Sequence, residues 1–439
     1  MDNAKKIGLI ACIGIVAGNM MGSGIALLPA NLASIGSIAI TGWIVALIGA
    51  LSLAYVYAKL ATKDPEEGGP IAYANEVSPI LGFQTGALYY HANWIGNLAI
   101  TTTAVSYLSV FYPVLNDAVP AGILSLALIW LFTFINLLGG QWISRLTTFG
   151  LILILLPVIG TAVFGWLWFD KEIYLHNWNV SHDTDYQAVV SSTLLCLWAF
   201  VGIESASVNS ALVKNPKRTI PIATMVGAFL AGIVYISATQ VISGMYPAAE
   251  MAASGAPFSK TASTMLGDWA SPVVSIFTVI ACLTSLGSWM MLVGQAGARA
   301  AHDGNFPKVY GEMDKNGIPR KGLILAAIQM SILLTLVTLA NAESGRASTI
   351  FKDLINIAVL LTMLPYFYSC LNLIRVEGMS AKRVLSLATA IFGSIFCFIA
   401  LLGSTPMQLS GTFIVSLIIL MFYAKKLGRQ KEGVTSESQ

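Results

Sequence analysis

Charge is scarce in this chain. Only 10% of its 439 residues are Asp, Glu, Lys or Arg, against 56% hydrophobic, where a soluble globular chain is about a quarter charged. A water-soluble enzyme or scaffold is excluded by that balance, and so are disordered, collagenous and coiled-coil chains. Cysteine is scarce as well. Cys12, Cys196, Cys282, Cys370 and Cys397 all lie in apolar stretches and none forms a Cys-x-x-Cys pair, so they read as small buried hydrophobes rather than disulfides or metal ligands. The four histidines are scattered; no metal site is legible and no cofactor is expected. No basic run interleaved with aromatics lies outside the apolar segments, which argues against nucleic acid as a partner. The short alternating segments of an outer-membrane barrel are missing. Lys5 and Lys6 precede an apolar run, but that run continues as a full span without a clean cleavage site, so no signal peptide is expected.

What the chain has in quantity is long apolar runs, and its mean hydropathy is +0.75. They fall at 7–34, 38–60, 82–112, 119–138, 146–169, 188–211, 221–244, 271–300, 322–340, 350–374, 384–403 and 410–427. At roughly 20 apolar residues per crossing, these predict an all-α polytopic membrane protein with twelve transmembrane helices. Residues 1–427 form one domain and 428–439 a short disordered tail. Orientation follows from cation placement, because Lys and Arg are retained on the cytoplasmic side. With the N-terminus inside, only Lys171, Lys260, Arg346 and Lys352 fall outside, a split of 20 to 4 among the 24 cations. Slipping one span scrambles that split. Both termini are therefore expected to be cytoplasmic, with the lipid bilayer as the surrounding partner.

Two runs carry breaks in corresponding places. The first reads Gly18-Asn19-Met20-Met21-Gly22-Ser23-Gly24, with Pro29 after it; the sixth reads Trp198-Ala-Phe-Val-Gly202-Ile-Glu204-Ser205-Ala206-Ser207. Glycine costs a helix interior about 1 kcal/mol, and unwound backbone at membrane depth survives only where it is buried in protein or lines a cavity. Breaks in spans 1 and 6 are the pattern of a five-plus-five inverted repeat, here 7–169 and 188–374, followed by two extra spans over 384–427. The alternative is that the small residues serve close helix packing alone. A phosphate cradle is disfavoured, since no strand precedes the glycines and no Gly-Lys-Ser/Thr follows.

Glu204 is the one acidic residue in the middle of a span, and no Lys or Arg lies at matching depth in another. An intramembrane carboxylate faces a cavity or a partner by default, so a cationic substrate is the economical candidate; a protonated acid bonded between helices is the other. Tyr89, Tyr90, Trp94, Trp198, Trp289 and Tyr366 lie at comparable depth. Indole and phenol faces attract ammonium groups by about 0.5–2 kcal/mol each.

The motifs Asn19-Met-Met-Gly22-Ser23-Gly24, Trp94-Ile-Gly96-Asn97, Trp198-Ala-Phe-Val-Gly202-Ile-Glu204-Ser205-Ala206 and Lys214-Asn-Pro-Lys-Arg218 resemble the amino acid–polyamine–organocation family, in particular its bacterial basic amino acid/polyamine antiporters. The resemblance implies the inverted-repeat transporter fold and a homodimer. It also implies a substrate-binding set of Asn19, Gly22, Ser23, Gly24, Ile25, Ala92, Asn93, Asn97, Trp198, Val201, Glu204, Trp289, Ala358 and Thr362. Within that set, the Gly22-Ser23-Gly24 break matches a cradle for the substrate α-carboxylate and Asn97 a polar contact in span 3. Trp198 matches the aromatic that stacks on the substrate's aliphatic part and closes the middle of the path. Trp289 matches an inner-side gate, Glu204 with Tyr89 and Tyr366 an outer-side gate, and Tyr73 a position tied to inner-side pH response. The chain departs from the arginine/agmatine branch, which carries a cysteine where Asn93 stands and a serine where Ala358 stands. The resulting expectation is a transporter, not an enzyme, exchanging external lysine for internal cadaverine. It would be coupled in function to a cytosolic lysine decarboxylase and would support acid resistance. Ornithine/putrescine or arginine/agmatine exchange and a non-transporting lysine sensor are the alternatives.

Overall fold

The structure is a computed structural model that describes residues 8–21, 24–63, 69–139, 141–204, 213–343, 347–378 and 383–437. Its regular elements are helices, and no β-strand forms among the described residues. They run α1 (Leu9–Met20), α2 (Leu28–Ala33), α3 (Ala39–Lys63), α4 (Pro70–Val77), α5 (Pro79–Leu108), α6 (Ala118–Leu137), α7 (Gln141–Phe164), α8 (Lys171–His176) and α9 (Asp185–Trp198). Then come α10 (Pro216–Met245), α11 (Ala248–Ala252), α12 (Pro257–Leu266), α13 (Ala270–His302), α14 (Arg320–Ala340), α15 (Ala347–Glu377), α16 (Val384–Leu402) and α17 (Pro406–Glu437).

The starts of these helices are written in the sequence. Pro70, Pro79, Pro216 and Pro257 each open a helix at its first position, where a missing N–H costs nothing. Asp170 accepts from the backbone N–H groups of Glu172 and Ile173 at the start of α8. Thr184 and Gln187 form a reciprocal capping box at the start of α9. At the far end, α17 continues as helix to Glu437, where a disordered tail is expected from residue 428. Lys425, Lys426, Leu427, Arg429, Gln430, Lys431 and Glu432 are all good helix formers and extend the preceding turn.

Nine helices among the described residues are long and apolar enough to cross a membrane, against twelve apolar runs in the sequence. The three runs that fall short do so for identifiable reasons. In the first run α1 is only 12 residues long, and in the sixth α9 has 14; each is shorter than the roughly 20 residues that span a bilayer. Span 3 is α5, 30 residues long, but its face of Tyr89, Tyr90, His91, Asn93, Asn97 and Thr101–Thr103 makes it less apolar. Short length thus sets α1 and α9 apart, and polar composition sets α5 apart.

Burial is graded across the bundle. In α15, 78% of the apolar window is buried inside the protein, against 17% in the crossing part of α17. The outer faces expose large apolar side chains, such as Ile123, Leu131 and Phe134 on α6 and Phe392, Ile395 and Phe398 on α16. Contiguous apolar surface of that kind suits hydrocarbon, not water. Inside, helices approach closely where side chains are small: a methyl on Gly42 of α3 would lie 2.9 Å from the backbone nitrogen of Thr193 in α9.

One end of the bundle is held by ion pairs. Lys63 at the end of α3 and Arg383 both reach Glu377 at the end of α15, at 2.8 and 3.1 Å. Arg375 reaches Glu76 of α4 at 2.9 Å, and Asn372 donates to the same carboxylate oxygen at 3.0 Å. At the other end neutral groups join the helices beside one ion pair, Lys260 with Glu250: the Asn177 amide donates to the carbonyls of Ser243 and Tyr246, and Tyr174 donates to Gln240 at 2.7 Å.

Candidate functional site

The site begins where α9 ends. After Trp198 the chain passes through turns over residues 199–204, and Gly202 takes φ +102°, a conformation that L side chains rarely adopt. This turn carries Glu204 to a position 1% exposed. Its Oε1 accepts from the Tyr89 hydroxyl at 2.6 Å and its Oε2 from the Tyr366 hydroxyl at 2.8 Å. No ion pair to Glu204 forms among the described residues. Neutral hydroxyls orient a carboxylate and solvate its lone pairs, but they leave the charge itself uncompensated.

Beside this triad lies a cavity of about 90 Å³ in which water centres can sit, bordered by α5, α13, α15 and the two helix breaks. Gly24, Ala92, Asn93, Asn97, Trp198, Val201, Glu204, Trp289, Ala358 and Thr362 all line it, with Tyr89. These are residues from five separate stretches of sequence brought to one wall. Asn97 is fully buried, and both its amide nitrogen and its amide oxygen lack a protein partner, as does the Trp198 indole N–H. The cavity thus offers one carboxylate, one free amide, an indole N–H and two indole rings, which is a chemistry suited to an ammonium group on an aliphatic chain.

Other expected residues are placed differently. Ile25 is fully buried and Tyr366 touches the site only through Glu204. Gly22 and Ser23 lie outside the described residues, and so does the side chain of Asn19. Tyr73, on α4, is 1% exposed and away from the cavity. Its ring sits 6.0 Å from Tyr57, which in turn stands edge-on to Tyr366 at 5.9 Å. Met20, Gly96, Ile100, Gly202 and Ser285 also line the cavity without having been singled out as contacts. Ser285 was findable: it lies four residues before Trp289 on α13, hence on the same helix face.

The two ends of the cavity are distinct. Gly96 faces the Trp198 ring so closely that a methyl there would lie 3.4 Å from the indole. Tyr89 precedes Gly96 by seven residues on α5, about 10 Å of helix, toward the Pro79 end. That end adjoins the Lys63–Glu377–Arg383 network, the side richest in Lys and Arg and so the inner side by the cation rule. The Tyr89–Glu204–Tyr366 triad therefore closes the end of the cavity that faces this network, and Trp198 stands toward the opposite end. The outer-side position expected for the triad rests on the resemblance alone; in the structure the chain runs from Trp198 toward the network end to reach Glu204.

Two substitutions test this wall. Trp198→Leu is expected to lower transport strongly while Trp198→Phe and Trp198→Tyr keep part of it; equal behaviour of all three in vesicle uptake would remove the aromatic face from the account. At Gly24 a methyl would meet the Met20 carbonyl and the Trp198 indole nitrogen at 3.5 Å each, ordinary contact distances. Gly24→Ala should thus fold normally and act by occupying space beside the ligand. It is expected to weaken a carboxylate-bearing ligand several-fold more than a diamine, read as separate dissociation constants by calorimetry. Equal losses with a lowered melting temperature would mean that Gly24 serves helix packing alone.

A helical, lipid-facing bundle with a charged, aromatic-walled cavity at two helix breaks has the anatomy of a membrane carrier for small cations. The family model described as amino acid permease matches residues 7–424, and the chain belongs to that family, within the amino acid–polyamine–organocation superfamily. It is 68% identical over 427 residues to the cadaverine/lysine antiporter of Escherichia coli (strain K12), covering 97% of this chain and 96% of that protein. The protein of the same name from Escherichia coli O157:H7 matches equally. The putrescine transporter PotE of Escherichia coli (strain K12) is 32% identical over 414 residues, covering 92% of each chain.

Proposed function

We propose that this chain exchanges external lysine for internal cadaverine across the bacterial inner membrane. The observation that carries the reading is Glu204: a buried carboxylate on a cavity wall, held by two tyrosine hydroxyls and unmatched by any cation among the described residues. A ligand ammonium supplies the missing charge. The 68% identity to a cadaverine/lysine antiporter, against 32% to a putrescine transporter, favours this pair over ornithine/putrescine. Asn93 and Ala358 on the cavity wall favour a simple ammonium over a guanidinium.

In this reading the gap between Met20 and Leu28 and the turn after Trp198 are the breaks of spans 1 and 6 in a twelve-span, five-plus-five inverted repeat. The repeats are 7–169 and 188–374, the two extra spans 384–427, and both termini are cytoplasmic. Gly22, Ser23, Gly24 and Ile25 at the first break are the cradle for the lysine α-carboxylate, which a partial positive helix end there would attract. Asn19, Ala92, Asn97, Val201 and Thr362 complete the contacts. Trp198 covers the aliphatic chain, Trp289 and the Tyr89–Glu204–Tyr366 triad control the inner exit, and Tyr73 reports inner-side pH to the triad through Tyr57. The working unit is a homodimer.

Each cycle moves a monocation in and a dication out, so one net positive charge leaves. Moving a unit charge against an inside-negative potential costs about 2.3 kcal/mol per 100 mV, and substrate gradients must supply it. A cytosolic lysine decarboxylase maintains both gradients and consumes a proton with each turnover. Acid stress that makes the interior less negative lowers the opposing term. The decisive experiment is counterflow in proteoliposomes, labelled lysine outside against cadaverine inside. Lysine accumulation that requires internal cadaverine supports the exchange. Faster exchange with ornithine/putrescine or arginine/agmatine reassigns the substrate, and binding without flux makes the protein a sensor.

A further inference from the structure

The end of the molecule opposite the Lys63–Glu377–Arg383 network carries a second cavity, of about 500 Å³, which shares no residue with the first. It lies beyond Leu108 of α5 and Met245 of α10, against α12 and the start of α13. Its wall carries an ion pair, Lys260 Nζ to Glu250 Oε1 at 2.6 Å, with side chains 32% and 49% exposed. The same Nζ stands 5.2 Å from the centre of the Tyr246 ring. Ser254, Ser263, Thr264, Ser271 and Asn116 add hydroxyl and amide groups around the pair. Gly255 lies close beneath: a methyl there would lie 2.5 Å from the Asn116 side-chain oxygen and 3.1 Å from the Ser106 carbonyl, so no side chain fits between them.

We propose that this cavity is an external recognition site for an amino-acid zwitterion. An ion pair so exposed holds only weakly, and a ligand carrying both charges can open it without leaving either group unmatched. The ligand ammonium takes Glu250 and the ligand carboxylate takes Lys260, so two charge-assisted contacts replace one. Tyr246 and the surrounding hydroxyls receive the remainder of the ligand. Selectivity follows from the same two charges. A diamine has no carboxylate, so its second ammonium would meet Lys260 with like charge, and like-charge juxtaposition is how a site rejects the wrong partner. The site thus accepts the amino acid and refuses the diamine on the face from which the amino acid is taken up. Lysine as the amino acid, and this face as the outer one, rest on the exchange reading above; the existence of a second zwitterion site does not.

The test is a count of binding sites on the purified full-length chain, by equilibrium dialysis with labelled lysine and, separately, labelled cadaverine. Two lysine equivalents and one cadaverine equivalent per chain are expected. Lys260→Met should raise the half-saturation of the second lysine equivalent at least about tenfold with an unchanged melting temperature. Exchanging the two charges, Glu250→Lys together with Lys260→Glu, should restore it. A single lysine equivalent in the unmodified protein overturns the proposal, and so does a second equivalent that survives Lys260→Met or that cadaverine displaces. Absence of lysine–cadaverine counterflow in vesicles would instead overturn the exchange reading, leaving the site count intact.

Discussion

Gly202→Ala is expected to abolish most transport, by well over tenfold, while leaving a folded protein. Gly202 sits at φ +102° in the turn that separates Trp198 from Glu204. A Cβ at that φ costs about 1–3 kcal/mol when the surroundings hold the backbone in place. The surroundings here cannot all yield. Trp198 lies beside Gly96 and Gly24, and Glu204 is held by two tyrosines on two different helices. Relief requires one of the two functional side chains to move, and an ångström of misplacement at such a site is felt as a large loss of rate. The measurement is initial counterflow rate in vesicles, paired with melting temperature and elution profile in detergent. Rates within twofold of the unmodified protein would show that the turn absorbs the methyl, and the geometry of Glu204 would then not be set by Gly202.

The sequence makes Glu204 legible because a lone carboxylate at mid-span is costly and therefore conspicuous. It makes Trp198 and Trp289 legible through their place beside small-residue breaks. Hydropathy locates the twelve apolar runs but passes over what distinguishes α1, α5 and α9: α1 and α9 are too short, and α5 too polar, to count as long apolar helices. Which side of Trp198 the triad closes was not legible. That answer needs the register of α5 and α15 against the turn, a contact between residues more than a hundred positions apart. Nor was the reach of Tyr57 between Tyr73 and Tyr366, since nothing in a local pattern says which tyrosines share a helix crossing. Ser285 and Ile100 were within reach of helical spacing from Trp289 and Asn97. Met20 was not, because the chain after it is not helical and periodicity lapses.

Glu204→Gln is expected to raise the dissociation constant for cadaverine about a hundredfold and that for lysine about tenfold. Both ligands present an ammonium to Glu204, so the difference has to come from the rest of each molecule. Lysine brings its own carboxylate and enters with a net charge of one. Cadaverine enters with two, and Glu204 is the only carboxylate that lines the cavity among the described residues. Unit charges 4 Å apart interact by about 4 kcal/mol at an effective dielectric constant near 20, and the cost of burying uncompensated charge rises faster than the charge itself. Removing the carboxylate therefore harms the dication more. The glutamine amide also cannot accept from both Tyr89 and Tyr366, since its NH2 is a donor only, so part of any loss comes from a loosened triad. Tyr89→Phe and Tyr366→Phe isolate that part: each deletes one hydroxyl and keeps the charge, and each should weaken the two ligands by similar factors. Calorimetry on the four proteins separates the contributions. A Glu204→Gln loss equal for both ligands, and matched by the tyrosine variants, would make Glu204 a gate fastener rather than the counter-charge of the substrate.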